Sequence, residues 1–270
     1  MSEQSHRAPE AELRAPRAPA LFSVFRAHYS VVGRTCRVEL AVFLLVAGWF
    51  YGAAAVETYG SLTHTFADRA LGVHFIALVF AAWWPLAVWR DEPPRRRLHF
   101  RSVPVASITN VLLRVASGLG WLLAVAVVAN LTASAIGLLV GRASEFGAIT
   151  PVAWIGYALG ITIVYLLGSA IAIASEHPGR WIALLVALVY APPLLLHVPE
   201  MLYTTIRVGP STLYRGALGF DTATRWIVTE AQLEAGLAGF DFRRWLVAGA
   251  TWLATAILLV LASARHRPDV

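Results

Sequence analysis

Lysine is absent from this 270-residue chain: all 22 basic residues are arginine. A P-loop nucleotidase needs the lysine of G-x-x-x-x-G-K-[ST] to reach the β- and γ-phosphates, so ATP hydrolysis by that route is excluded. Cysteine occurs once, at Cys36, which rules out an intrachain disulfide and offers no cysteine cluster to a metal. Charge is sparse too. Charged residues make up 14% of the chain, against about 25% in an ordinary soluble domain. Long alternating polar/apolar stretches are also missing, which excludes a porin-like barrel.

What the chain has instead is apolar length. Apolar residues reach 58% and mean hydropathy is +0.63. They gather in six continuous runs: 40–56, 71–89, 111–140, 152–174, 181–198 and 245–261. A helix of about 20 residues spans the hydrocarbon core, and inside lipid a helix satisfies every backbone amide within its own segment. The expected fold is therefore all-α: a polytopic membrane protein with six transmembrane helices. The third run exceeds the minimum and leaves length for tilt. The net charge of +6 would suggest nucleic acid in a soluble protein. Beside membrane spans it points to anionic headgroups, with no nucleic-acid partner.

Arginine placement gives the sidedness. Arg7, Arg14, Arg17, Arg26, Arg34 and Arg37 precede the first run. Arg90, Arg95, Arg96, Arg97 and Arg101 follow the second, with Arg114 just inside the third; Arg265 and Arg267 follow the sixth. The loops after the first and third runs carry only Arg69 and Arg142, and the five arginines of 199–244 are accompanied by Glu200, Asp221, Glu230, Glu234 and Asp241, in a loop long enough to weigh less in this rule. Both termini are thus expected in the cytoplasm. The arginine- and alanine-rich bias fits a bacterial inner-membrane protein. Residues 1–20 have no apolar core of a signal peptide and read as a disordered cytoplasmic tail, as 265–270 reads as a short one. Residues 21–264 form a single membrane domain.

Three other segments stand out. Across 21–38, Arg26, Arg34 and Arg37 share an arc of about 80° at helical spacing, opposite Leu21, Phe22, Val24, Phe25, Tyr29, Val31 and Val32. An interfacial amphipathic helix has this design, as has a helix packed on a neighbouring domain. Residues 91–107, DEPPRRRLHFRSVPVAS, are basic and too long for a simple turn. They serve either as a positive-inside anchor or as a docking element for a cytoplasmic partner, with Leu98, Phe100, Val103 and Val105 as apolar anchors. Residues 199–244 are external. Within them Trp226, Leu233, Leu237 and Phe240 share an arc of about 60°, a second amphipathic helix at the membrane interface that closes the bundle or gates it.

This layout resembles the permease subunits of type-2 ATP-binding-cassette exporters. The likeness lies in the amphipathic helix before the first span and the basic loop between spans two and three. That loop carries the phrase Arg101-Ser102-Val103-Pro104-Val105-Ala106-Ser107, followed by Arg114, and short external helices lie between spans five and six. Ala106 interrupts the family's P-V-S phrase. The resemblance implies half a transporter, paired with a second permease and a separate cytoplasmic ATPase. It implies docking through Arg97, Leu98, Phe100, Val103 and Pro104, with Glu39 near the ATPase, no cofactor, no metal and no catalysis by this chain. Glu39 and Arg37 also suit simple interfacial snorkelling. Midplane acids are lacking, which argues against proton coupling.

Asn130, Thr132, Ser134, Ser169 and Thr251 are expected to hydrogen-bond between helices. Gly118, Gly120, Gly156 and Gly160 suit close helix approach, and Trp49, Phe50, Trp83, Trp84 and Trp89 suit an aromatic belt. One alternative remains from the residues: His74 and His197, at similar depth, as ligands of a haem or metal in a redox subunit. Interfacial histidines bonded to water are the plainer reading.

Overall fold

The computed structural model describes residues 21–58, 66–90, 107–139, 151–195 and 242–265. Every regular element among them is a helix: α1 (Leu21–Thr35), α2 (Arg37–Thr58), α3 (Phe66–Trp89), α4 (Ser107–Leu139), α5 (Pro151–Ala174), α6 (Pro178–Leu195) and α7 (Phe242–Arg265). Over their described residues, the six apolar runs fall on helices, from α2 to α7. Three contain segments long and apolar enough to cross a membrane: Ile108–Thr132, Ile155–Ala174 and Trp245–Arg265. Shorter apolar segments occupy Ala77–Trp89 and Pro178–Ala187.

Local chemistry sets the boundaries. Pro151 and Pro178 open α5 and α6, where a missing N–H costs nothing and the fixed φ suits a first turn. Between α5 and α6 the Ser175 hydroxyl accepts the His177 N–H at 3.1 Å, a side-chain turn. At the α1–α2 junction, Cys36 donates to the Val32 carbonyl at 2.9 Å and accepts from Leu40 at 3.1 Å. Cys36 itself is a turn residue between the two helices, so the amphipathic helix ends at Thr35 rather than Val38, and Arg37 and Val38 belong to α2.

Paired contacts fix the directions. Phe43 of α2 stacks on Phe80 of α3 at 4.4 Å. The Trp84 indole N–H of α3 donates to the Gly118 carbonyl of α4 at 2.9 Å. The Tyr165 hydroxyl of α5 donates to the Val115 carbonyl at 2.8 Å. Sequence position rises along one partner as it falls along the next, so α2 to α5 run antiparallel in turn. Leu159 of α5 sits against Gly249 of α7. Arg37, Arg90, Arg114 and Arg180 gather at one end of the bundle.

The core is centred on α3 and α5. Ile161, Ile163, Val164 and Tyr165 are at most 1% exposed, as expected for a helix apolar on all sides. Gly168 lets α5 approach the α3 backbone: a Cβ there would lie 2.7 Å from the Ala82 carbonyl oxygen and 3.1 Å from Pro85. Pro85 lacks the N–H of a regular helical turn, so close contact forms where the α3 ladder is already open. The belt expectation divides. Trp49 and Trp83 are exposed, whereas Trp84 and Trp89 are buried, because successive side chains leave a helix about 100° apart. Thr132 and Thr251 bond the carbonyls of Val128 and Val247 in their own helices, not a neighbour. Asn130 likewise bonds the Ala126 carbonyl of its own helix.

Candidate functional site

The arginine-rich end is where α1, α2, α3 and α4 converge, and polar ties hold the convergence. Arg90 follows the last residue of α3. Its Nη1 donates to Glu39 Oε1 at 2.5 Å and its Nη2 to the Thr35 carbonyl at 3.1 Å. Thr35 is the last residue of α1, and its carbonyl lacks an intrahelical donor. A guanidinium there answers the negative end of the helix, as Glu39 in the first turn of α2 answers the positive end.

Arg114 makes the second tie. Its side chain is buried, and Nε and Nη2 donate to the Val88 carbonyl at 3.1 and 2.6 Å. Val88 lies in the last turn of α3, so this is a C-cap supplied by another helix. The guanidinium also lies 5.1 Å from the centroid of the Trp89 ring, within cation–π range.

The third tie is His28 of α1, whose Nε2 lies 2.5 Å from Asn110 Oδ1 of α4. Burial, as the largest cause, holds this imidazole below its usual 6.5; the Asn110 bond raises it, and Arg114 lowers it further. Beside it Tyr29 stacks on Trp121 at 4.7 Å. The Trp121 indole N–H donates to the Tyr29 carbonyl at 2.8 Å.

Together these residues bracket the segment 91–106. Arg90, after the end of α3, is tied to α1 and α2. Asn110 and Arg114, near the start of α4, are tied to α1 and α3.

Among the sequence-derived site residues, Glu39 is held by Arg90. Arg26, Arg34 and Arg37 are exposed, and Arg34 donates to Ser30 Oγ at 3.0 Å. Leu21, Phe22 and Val31 are exposed beside them, while Val32 is buried and Phe25, His28 and Tyr29 are partly buried. Arg97, Leu98, Phe100, Val103, Pro104, Trp226 and His197 lie outside the described residues, as do residues 1–20 and 199–241. His74 is on α3, and its side chain lies outside the described set. Among the described residues, no three of His, Cys, Asp and Glu cluster as metal ligands would.

The sequence reading missed His28, Asn110 and the specific part played by Arg90. Two signals were available. His28 falls with Phe25 and Val32 on the apolar side of α1, and Arg90 stands where an arginine can cap a helix C-terminus.

Compared with protein-family models, with curated proteins and with solved structures, the chain matches none.

Proposed function

We propose that this chain is the membrane-spanning subunit of an ATP-driven exporter. It forms half of a substrate path and takes its energy from a separate cytoplasmic ATPase. In this reading α2 to α7 are six membrane crossings of a bacterial inner membrane, the arginine-rich end faces the cytoplasm, and a second permease completes the path. Residues 91–106 are the docking element, with Arg97, Leu98, Phe100, Val103 and Pro104 meeting the ATPase. Arg26, Arg34 and Arg37 meet anionic headgroups at the same membrane face.

The observation that carries the proposal is the anchoring of both ends of 91–106 to α1, α2 and α3. An ATPase that binds two arrangements of the bundle with different affinity shifts their populations by that difference alone. The docking element must therefore be mechanically continuous with the bundle, and the ties of Arg90, Asn110 and Arg114 supply that continuity. Glu39 then positions Arg90 rather than touching the ATPase itself. The lack of lysine agrees, since a chain without a P-loop must obtain ATP energy from a partner.

The test is co-purification from the native membrane. The wild-type chain is expected to retain a nucleotide-binding ATPase, and the chain alone to hydrolyse no ATP. Combined Leu98→Asp, Phe100→Asp and Val103→Asp should abolish that association while thermal unfolding stays unchanged. An ATPase retained equally by the triple variant would overturn the docking assignment.

A further inference from the structure

We propose that α1 is a pH-sensitive strap, held on α4 while His28 is neutral and released when His28 gains a proton. The geometry has the three parts such a device needs. The first is an interface: His28 bonds Asn110 of α4, and Tyr29 stacks on Trp121 of α4 and accepts its indole N–H. The second is a hinge. Cys36 separates α1 from α2, and Arg90 holds the Thr35 carbonyl there, so α1 swings from α4 about a fixed end. The third is a charge set that the neutral ring tolerates and the charged ring does not.

That set is small. Nε2 faces the Asn110 oxygen, which makes Nε2 the protonated nitrogen and leaves Nδ1 bare. A second proton on Nδ1 would create an imidazolium near the Arg114 guanidinium, which itself is buried and committed to Val88. Glu39 of α2 and Arg90, after the end of α3, are paired with each other. Arg26 and Arg34 of α1 lie on its exposed face. Among the described residues no carboxylate is aimed at the ring, and the charge acting on it is that of Arg114. Asn110 favours the charged ring through its carbonyl but is outweighed by burial. Releasing α1 returns the imidazolium to solvent or headgroups.

The direction follows from linkage. The docked histidine binds protons less readily than a free one, so the strap is fully held above about 6.5. It weakens as pH falls below that value. One proton sets the limit, so the released fraction can rise by up to about tenfold per pH unit. The strap rests on the α1–α4 contact, with the end of α1 still held by Arg90, and stands or falls separately from the transport reading.

The experiment uses the full chain in lipid nanodiscs, with Cys36→Ala and spin labels at Arg26→Cys of α1 and Ala116→Cys of α4, both exposed positions. Distances are compared at pH about 7.5 and about 5.5, either side of the free-imidazole value. The expected result is a narrow distribution at the higher pH and a broad, longer one at the lower. His28→Gln should stay narrow at both, and His28→Arg broad at both. An acid-insensitive wild type would overturn the strap, as would His28→Gln broadening with acid like the wild type. Should both variants fail to fold, the wild-type imidazole can be titrated by NMR. Titration below 6.5 supports the strap, and titration at or above it overturns it.

Discussion

Arg90 and Glu39 stand 51 residues apart in the chain and meet with Nη1 2.5 Å from Oε1. This contact joins the end of α3 to the start of α2, and the second Arg90 donor adds the end of α1. Three helix termini are thereby closed by one guanidinium.

The two partners are unequally exposed, 55% for the Arg90 side chain and 24% for Glu39. Glu39 Oε2 is buried without a hydrogen-bond partner. Arg90→Ala should therefore destabilise more than Glu39→Ala, since it strands a half-sheltered carboxylate. The coupling from a double-mutant cycle should be about 0.2–1 kcal/mol, as for partly exposed pairs. Thermal unfolding in detergent measures both, and equal single-mutant losses would contradict the asymmetry.

Arg114 is a different case, because it is buried and satisfies a helix end. Arg114→Ala removes two charge-assisted bonds to one carbonyl and the Trp89 contact, for a loss on the order of 2–4 kcal/mol. Arg114→Lys should recover part of this, since an ammonium cannot reproduce the planar fork. A lysine variant as stable as the wild type would show that charge alone suffices there.

Glycines give the sharpest packing contrast. A Cβ at Gly33 would run into the Trp121 indole, and one at Gly168 into the Ala82 carbonyl, while Gly48 has open space. Gly33→Ala and Gly168→Ala should each cost about 1–3 kcal/mol through overpacking. Gly48→Ala should cost nothing, or add about 0.5–1 kcal/mol of helix stability. Melting temperatures of the three variants decide it.

Sidedness is testable with single cysteines in a Cys36→Ala chain. If the arginine-rich end is cytoplasmic, a membrane-impermeant thiol reagent added to intact cells should label Arg243→Cys and spare Arg95→Cys. The reverse pattern would put residues 91–106 out of reach of a cytoplasmic ATPase and end the transport reading.

The bundle was largely legible before any coordinates. The apolar runs starting at 40, 71, 111, 152, 181 and 245 begin on helices that start only a few residues earlier, at Arg37, Phe66, Ser107, Pro151, Pro178 and Phe242. Apolar length and proline placement are local properties, and helix formation answers to them. The site was less legible. Arg90 read as one more loop arginine because charge counting assigns sides and not partners. Trp84 read as a belt residue because composition does not tell which face of α3 turns inward.

The sequence by itself determined that this chain is built from apolar helices, that it carries no P-loop lysine, and where its arginines fall. Those facts follow from residue identity and spacing over one helix length. Only the tertiary structure decided which arginine closes which helix end, that His28 faces Asn110, and that Trp121 lies over Gly33. Each of those contacts joins residues tens of positions apart. It exists because several helices pack at once, and no local pattern encodes it.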